Sequence, residues 1–272
     1  MNQLHWDGHC HSQFCPHGKQ DPTEEMVQQA IKKGFRRLSL TEHAPLPKGF
    51  IKNQTLFDEL ALTEEQLPAY LEHARHLKQK YADQIEIWVG LEIDYLVGYE
   101  DYLLNFYRQW GSQLDDSLLS VHFIPGDDEL LMLDYSPKAF QKELLAKYKG
   151  IKEIHQAYWE TVLASITLPF ETYRPKRLGH LGLASKFCRH FPAPVFEQAY
   201  FLPIAQQIKN QQFALDFNVA GLSLDSCRQI YLPPALLHLA QEMRIPQVYG
   251  SDAHGTQGVG RHYDTYLEQN HV

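Results

Sequence analysis

The chain repeats one pattern seven times: a short apolar run, then a stretch with helical periodicity. The runs fall at residues 4–9, 37–41, 85–91, 118–122, 177–179, 213–217 and 247–250. Several are rich in Val, Ile, Leu and Phe with little polar alternation, as strands covered on both faces are. Between them, residues 67–81, 137–146, 151–166, 194–211 and 233–243 read as helices. The helix after the first run opens at Asp21-Pro22-Thr23-Glu24, with an N-cap, a proline at the first helical position and a glutamate three residues after the cap. Met26, Val27, Ala30 and Ile31 then form its apolar stripe, and Gly34 stops it. Strands alternating with helices predict an α/β fold on a parallel sheet, open or closed into a barrel. With no internal repeat and no Gly-, Ser- or Pro-rich linker, residues 1–272 are expected to form a single domain.

Read to its C-terminal end, nearly every run finishes in residue types that bind metals. The first ends in Asp7-Gly8-His9-Cys10-His11, the second in Thr41-Glu42-His43, the third in Gly90-Leu91-Glu92 and the fourth in Ser120-Val121-His122. The fifth ends in Leu178-Gly179-His180 and the seventh in Gly250-Ser251-Asp252-Ala253-His254, while the sixth, Leu215-Asp216-Phe217-Asn218, offers Asn218. In a β/α barrel these ends converge on one mouth, and that convergence favours the closed form. The chain has 15 histidines in 272 residues, and histidines satisfied in a core would not collect at one end of every strand. Alternation along the first strand sends Asp7, His9 and His11 one way and Cys10 the other. Asp252 and His254 pair similarly, and His17 lies in Cys15-Pro16-His17-Gly18, a loop able to fold back over the mouth. Seven histidines with Glu92 and Asp252 are too many ligands for one tetrahedral ion, and they suffice for two or three ions sharing a carboxylate. Imidazole and carboxylate donors suit Zn, Mn, Fe or Ni. Such sites clamp phosphoryl oxygens and generate a hydroxide nucleophile near neutral pH.

Composition narrows the partners. Acidic residues number 33 against 25 Lys and Arg, a net charge of −8, and no basic tract is present. That argues against a nucleic-acid surface working through phosphate neutralisation. No apolar run approaches membrane-spanning length, and MNQLHWDG lacks a signal peptide's charged and apolar regions, so a soluble cytoplasmic protein without a membrane partner is expected. Cys10, Cys15, Cys188 and Cys227 make no disulfide framework in a chain this long and are expected to be free thiols.

In chain order, Asp7-x-His9-x-His11, Cys15-Pro16-His17-Gly18, Thr41-Glu42-His43, Gly90-Leu91-Glu92-x-Asp94-Tyr95, Ser120-Val121-His122-Phe123 and Gly250-Ser251-Asp252-x-His254 resemble the motifs of the polymerase-and-histidinol-phosphatase (PHP) superfamily. The resemblance runs from residue 5 to about residue 260. Glu92-x-Asp94-Tyr95, residues 120–124 and Asn218-x-x-Gly221-Leu222 narrow it to the PHP-type histidinol-phosphate phosphatases. What it implies is a distorted seven-stranded (β/α)7 barrel holding three divalent metal ions, Zn, Mn or Fe. By that resemblance His9, His11, Glu92 and Asp252 hold one ion, Glu92 bridges to a second shared with His122 and His180, and His17, His43 and His254 hold a third. The implied reaction is hydrolysis of L-histidinol phosphate to L-histidinol and phosphate in histidine biosynthesis, by attack of a metal-bridging hydroxide. A PHP phosphoesterase acting on nucleotides or other small phosphate monoesters is the alternative.

Catalytic roles fall to Asp252 and to Asp7, the latter through orienting its histidine neighbours or the nucleophile. Glu42 and Asp94 stand beside ligands, where a carboxylate receives the substrate ammonium or fixes a histidine's orientation. Asn218 and Arg261 complete the expected substrate contacts, Arg261 reaching the phosphate from beyond the seventh strand. Lys48 and Lys52 lie in a long insertion, residues 45–62, placed over the mouth as an active-site lid would be. Arg174, Lys176 and Arg177 precede the fifth strand and are expected at the far end of the barrel. The oligomeric state is open.

Overall fold

The computed structural model describes residues 5–195 and 198–270. Among these residues nine strands occur in chain order: β1 (Trp6–Cys10), β2 (Arg37–His43), β3 (Glu86–Asp94), β4 (Asp116–Ser120), a hairpin of β5 (Phe123–Pro125) and β6 (Leu130–Met132), then β7 (Arg177–Leu178), β8 (Ala214–Asn218) and β9 (Gln247–Gly250). Seven of them form one parallel sheet in the order β1-β2-β3-β4-β7-β8-β9. Beyond its edges the chain closes on itself: Cys10 bridges Ala253, the His11 amide donates to the Ala253 carbonyl at 2.9 Å, and the Asp252 amide donates to the His9 carbonyl at 2.7 Å. The result is the expected seven-stranded (β/α) barrel, nearly closed. Its distortion has two visible sources, a register shift in β1 between Asp7 and Cys10 and the two-residue length of β7.

Ten α-helices among the described residues accompany the strands: α1 (Thr23–Lys32), α2 (Gln54–Asp58), α3 (Leu67–Lys80), α4 (Glu100–Trp110), α5 (Pro137–Ala139), α6 (Leu145–Tyr148), α7 (Ile151–Ile166), α8 (Gln198–Asn210), α9 (Pro234–Glu242) and α10 (Tyr263–Gln269). The apolar stripe of α3 shows how they attach. Leu67, Tyr70, Leu71, Ala74 and Leu77 recur at three- and four-residue spacing, all buried. Each buried leucine contributes about 1.5–3 kcal/mol. The Tyr70 hydroxyl donates toward the carbonyls of Leu40 and Gly90, each at 2.8 Å, so its burial leaves no polar group unpaired.

Several expectations shift. The cap of α1 is not Asp21: the helix begins at Thr23 behind Pro22 without a side-chain cap, and Asp21 instead accepts the Thr256 amide at 2.8 Å. Tertiary pairing with the loop after β9 outcompetes the local cap. The helix predicted over 137–146 is broken by a π-helical turn, Phe140–Leu144, and continues to Tyr148. The strands β2 and β3 extend through His43 and Asp94, whereas β4 stops at Ser120 and leaves His122 beyond it. The hairpin, α4 and α10 have no counterpart in the reading of the sequence, and Leu4, Phe196 and Glu197 of the predicted elements lie outside the described residues.

Residues 45–62 do not trail over the surface. Phe50, Ile51 and Leu60 are buried with Leu96, Phe123 and Leu130 in a small second core, and the Leu130 amide donates to the Phe50 carbonyl at 2.9 Å. The insertion and the hairpin thus form one packed wall above the barrel. At the opposite end, Arg177 is 1% exposed, ion-paired with Asp116 at 2.5 Å and stacked near Trp6. It is structural, as its place at the N-terminal end of the fifth barrel strand predicted.

Candidate metal centre

Glu92, on β3, is the hub of the mouth. Its carboxylate oxygens lie 2.7 Å from His180 Nε2, 3.2 Å from His9 Nε2, 3.3 Å from His43 Nδ1, 3.6 Å from His11 Nε2 and 3.7 Å from His122 Nε2. Five imidazoles reach it because they come from four different strand ends, and parallel strands in a barrel aim those ends at one point. Ser120 donates its hydroxyl to Glu92 Oε1 at 2.6 Å, and the closeness of that contact dictates the neighbour: a side chain at Gly179 would collide with the Ser120 oxygen.

The orientation of the rings carries more information than their number. His9 Nδ1 donates to Asp216 at 2.8 Å, His11 Nδ1 to Glu42 at 3.3 Å and His122 Nδ1 to Asp94 at 2.7 Å. His17 Nδ1 donates to the Glu59 carbonyl at 2.7 Å, and His254 Nδ1 faces the Asp252 carbonyl at 3.2 Å. In all five Nδ1 faces an oxygen acceptor, so in the neutral ring the proton sits on Nδ1 and Nε2 keeps its lone pair. That is the arrangement of metal-ligating histidines, whose second nitrogen is fixed by a carboxylate or carbonyl. The lone pairs converge: His11 Nε2 stands 3.2 Å from Asp252 Oδ1, and the Nε2 atoms of His17 and His254 are 3.2 Å apart. Two further nitrogens, His43 Nε2 and His180 Nδ1, are buried without a hydrogen-bond partner.

Electrostatics follow from this crowding. Burial opposes charge on Glu92, yet His9, His43 and His122 outweigh it and hold the carboxyl well below its usual range. Burial likewise opposes protonation of His11 and His122, but Asp252 and Glu42 raise the first to about 9 and Asp94 raises the second to about 10. Where no carboxylate compensates fully, burial wins, and His254 falls to about 3. Imidazoles that charge only to balance buried carboxylates are places where a cation takes the proton's role.

Three groups among the described residues bring ligand atoms within 4.8 Å of one another: His9, His11 and Glu92; Glu92, His122 and His180; and His11, Cys15, His43 and His254. Asp252 adjoins the first, 3.2 Å from His11 and 3.7 Å from His9. The third differs from the set the motifs implied. His17 stands outside it, its Nε2 3.2 Å from that of His254 and its ring centroid 4.9 Å from that of His43, while Cys15, expected as a free thiol, stands among the ligand atoms. Cys10 does face the other way, its sulfur 3.3 Å from the Ser251 hydroxyl within the main core.

A cavity of about 650 Å³ opens above these groups. Asp94, Asp252 and Arg261 line it, with Leu56, Glu59 and Leu60 of the 45–62 insertion. Two of the candidate substrate contacts, Glu42 and Asn218, lie outside it, as do Lys48, Lys52 and Asp7. Glu42 is fully buried beneath the site, accepting the Ser12 amide and hydroxyl and the His43 amide while it holds His11. Asn218 is also fully buried, donating to Asp216 at 3.0 Å and Asp252 at 3.2 Å. Lys52 pairs with Asp128 on the outside, and Lys48 is exposed away from the cavity. Asp7 does not touch the cavity: its carboxylate accepts the amides of Ser251 at 3.0 Å and Gly260 at 3.1 Å, clamping the loop after β9. Arg261, though at the mouth, donates to the backbone carbonyls of Ser251 and Asp252.

The reading of the sequence passed over Asp216, Asp134, Lys186 and Tyr231. Asp216 had a signal, since it shares strand parity with Asn218 on β8. The others sit in loops, Asp134 just beyond the hairpin, where no periodicity marks a direction.

Comparison with known proteins agrees with this geometry. The PHP domain family model matches residues 7–220. A histidinol-phosphatase of Bacillus subtilis (strain 168) is 38% identical over 265 residues, covering 97% of this chain and 98% of that protein. The crystal structure of a Listeria monocytogenes protein assigned as a histidinol phosphatase superposes with a TM-score of 0.93 at 37% identity, covering 96% of this chain and 99% of that one. The histidinol phosphate phosphatase of Lactococcus lactis, solved with zinc, L-histidinol and phosphate, shares the fold at a TM-score of 0.72 and 20% identity, with 98% and 94% covered. This chain is a member of the PHP domain family.

Proposed function

We propose that this protein is a metal-dependent phosphomonoesterase that hydrolyses L-histidinol phosphate to L-histidinol and phosphate. The observation that carries the reading is five imidazoles with Nδ1 fixed by oxygen, of which His9, His11 and His122 turn Nε2 toward Glu92 and His17 and His254 turn Nε2 toward each other. The donor set suits borderline divalent cations, zinc, manganese or iron, and the orphaned buried nitrogens of His43 and His180 fit the same role. Similarity to the Bacillus and Listeria proteins along nearly the whole chain supports histidinol phosphate as the substrate.

Three ions are assigned to three groups: His9, His11, Glu92 and Asp252; Glu92, His122 and His180; and His17, His43 and His254, with Cys15 nearby. Bound there, divalent cations supply Lewis acidity toward phosphoryl oxygens and lower the pKa of water at the site. The chain's own residues supply orientation. Asp216, Glu42 and Asp94 set the tautomers of His9, His11 and His122, and Ser120 keeps the Glu92 carboxylate from rotating. Asp252 is placed to accept a proton at the floor of the cavity, and Asp7 acts at one remove by anchoring the loop that carries Asp252. Leu56 and Leu60 of the 45–62 insertion present apolar surface that excludes water from the reacting phosphate, the role of a lid. A single domain, acidic overall and without a basic tract, suits a small cytoplasmic substrate better than a nucleic acid. No helix among the described residues is long and apolar enough to cross a membrane.

Phosphate release from histidinol phosphate, p-nitrophenyl phosphate and several nucleotides tests the reading, with marked preference for histidinol phosphate expected. Equal rates on all of them would remove the substrate assignment. Elemental analysis of the purified enzyme should give close to three ions per chain, and a single ion would overturn the trinuclear arrangement.

A further inference from the structure

The cavity above the metal centre holds a charged pair that neither the motifs nor the ligand groups explain. Lys186 Nζ donates to Asp134 Oδ2 at 2.8 Å, and both residues line the cavity. Asp134 is 9% exposed, and its other oxygen is buried without a hydrogen-bond partner. The pair hangs from the backbone of two metal-ligand histidines. Asp134 follows Leu133, whose amide donates to the His122 carbonyl at 2.9 Å. Lys186 follows a single 3₁₀ turn, Leu183–Ser185, whose first amide donates to the His180 carbonyl at 2.9 Å. The ammonium is therefore tied at both ends to the group formed by Glu92, His122 and His180.

From these observations we infer that Lys186, positioned by Asp134, binds the phosphoryl oxygens of the substrate. Cations are few at this cavity, and each competitor is otherwise engaged or placed. Arg261 spends its Nε and one Nη on the Ser251 and Asp252 carbonyls, and Lys19 lies exposed at the rim. Lys186 carries three N–H donors and gives one to Asp134, which leaves two for an anion. Asp134 also explains why a flexible lysine serves here: a buried carboxylate in the bend after β6 removes the rotamer freedom an unanchored ammonium would lose on binding. The inference deepens the phosphomonoesterase reading and rests on it.

The test is Lys186→Met, Lys186→Arg and Asp134→Asn in the metal-loaded enzyme, with three readouts: metal content, direct calorimetric binding of inorganic phosphate, and KM against kcat for histidinol phosphate. A charge-assisted contact of this kind corresponds to roughly a 10- to 100-fold weakening of phosphate binding in Lys186→Met. KM should rise in parallel while metal content stays at the unmodified level, Lys186→Arg should recover part of the affinity, and Asp134→Asn should fall between. Unchanged phosphate affinity in a normally metallated Lys186→Met protein overturns the inference, as does loss of metal equal to the loss of phosphate binding. If histidinol phosphate proves not to be the substrate while phosphate affinity still falls in Lys186→Met, the substrate assignment fails and the role of Lys186 stands.

Discussion

The two ends of this barrel handle buried charge in opposite ways. At the N-terminal ends of the strands, Arg177 and Asp116 pair with each other, Ser39 donates to Asp116 at 2.7 Å, and Trp6 donates to Ser39 at 2.9 Å. Arg177 also donates to the Gly8 carbonyl, where a side chain would collide with the guanidinium. Charge there is matched one to one, and the end is plugged. At the C-terminal ends, one carboxylate, Glu92, is shared among five imidazoles, and buried nitrogens are left without partners. The first arrangement balances its charge as protein alone, with one guanidinium nitrogen, Arg177 Nη1, left without a hydrogen-bond partner. The second is complete only with cations, which is why one end reads as stability and the other as function.

The largest expected effect comes from removing the shared carboxylate. Glu92→Ala should abolish turnover on histidinol phosphate, a loss of several kcal/mol of charge stabilisation or on the order of a thousandfold in rate, with measurable loss of bound metal. Retention of near-normal rate and metal content would show that the mouth is not a metal centre. The matched end should respond in stability instead. Arg177→Met leaves Asp116 buried and uncompensated, a cost of about 3–5 kcal/mol in urea unfolding, with kcat/KM of the folded protein unchanged. The double variant Arg177→Met/Asp116→Leu should regain most of that loss. If Arg177→Met lowered activity without lowering stability, the contrast between the two ends would collapse.

A smaller effect is expected one layer behind the ligands. Asp216→Asn keeps the shape beside His9 but removes the charge that fixes its tautomer, and metal affinity measured by chelator competition should fall roughly 10- to 100-fold. Least of all should follow from Lys52→Met. Lys52 and Asp128 are 60% and 69% exposed, so neither melting temperature nor KM should change. A raised KM would show instead that Lys52 reaches the active site from the insertion.

The fold was unusually legible because its strands are short, apolar and alternate with capped or proline-led helices, and because metal-ligand residues mark their C-terminal ends. Strand positions held to within a few residues, and the 247–250 run coincides with β9. The errors have a common cause. Asp21 was read as a helix cap because the reading was local, whereas the Thr256 amide that claims it is 235 residues away. The hairpin was missed because three-residue strands carry too little alternation to register.

In the site, the identity of the ligand candidates could be read from parity and position: alternation along β1 puts His9 and His11 on one face and Cys10 on the other. What parity cannot supply is the partner of each nitrogen. Of the two roles open to Glu42, the structure shows the one that orients a histidine; Asn218, expected to face substrate, is a buried support; and Asp216, Asp134 and Lys186 enter only when distant segments meet. Periodicity fixes which side of its own strand a residue occupies, because that is backbone geometry. Which atoms it touches depends on how the strands close and which loops fold over them, and only the tertiary structure decides that.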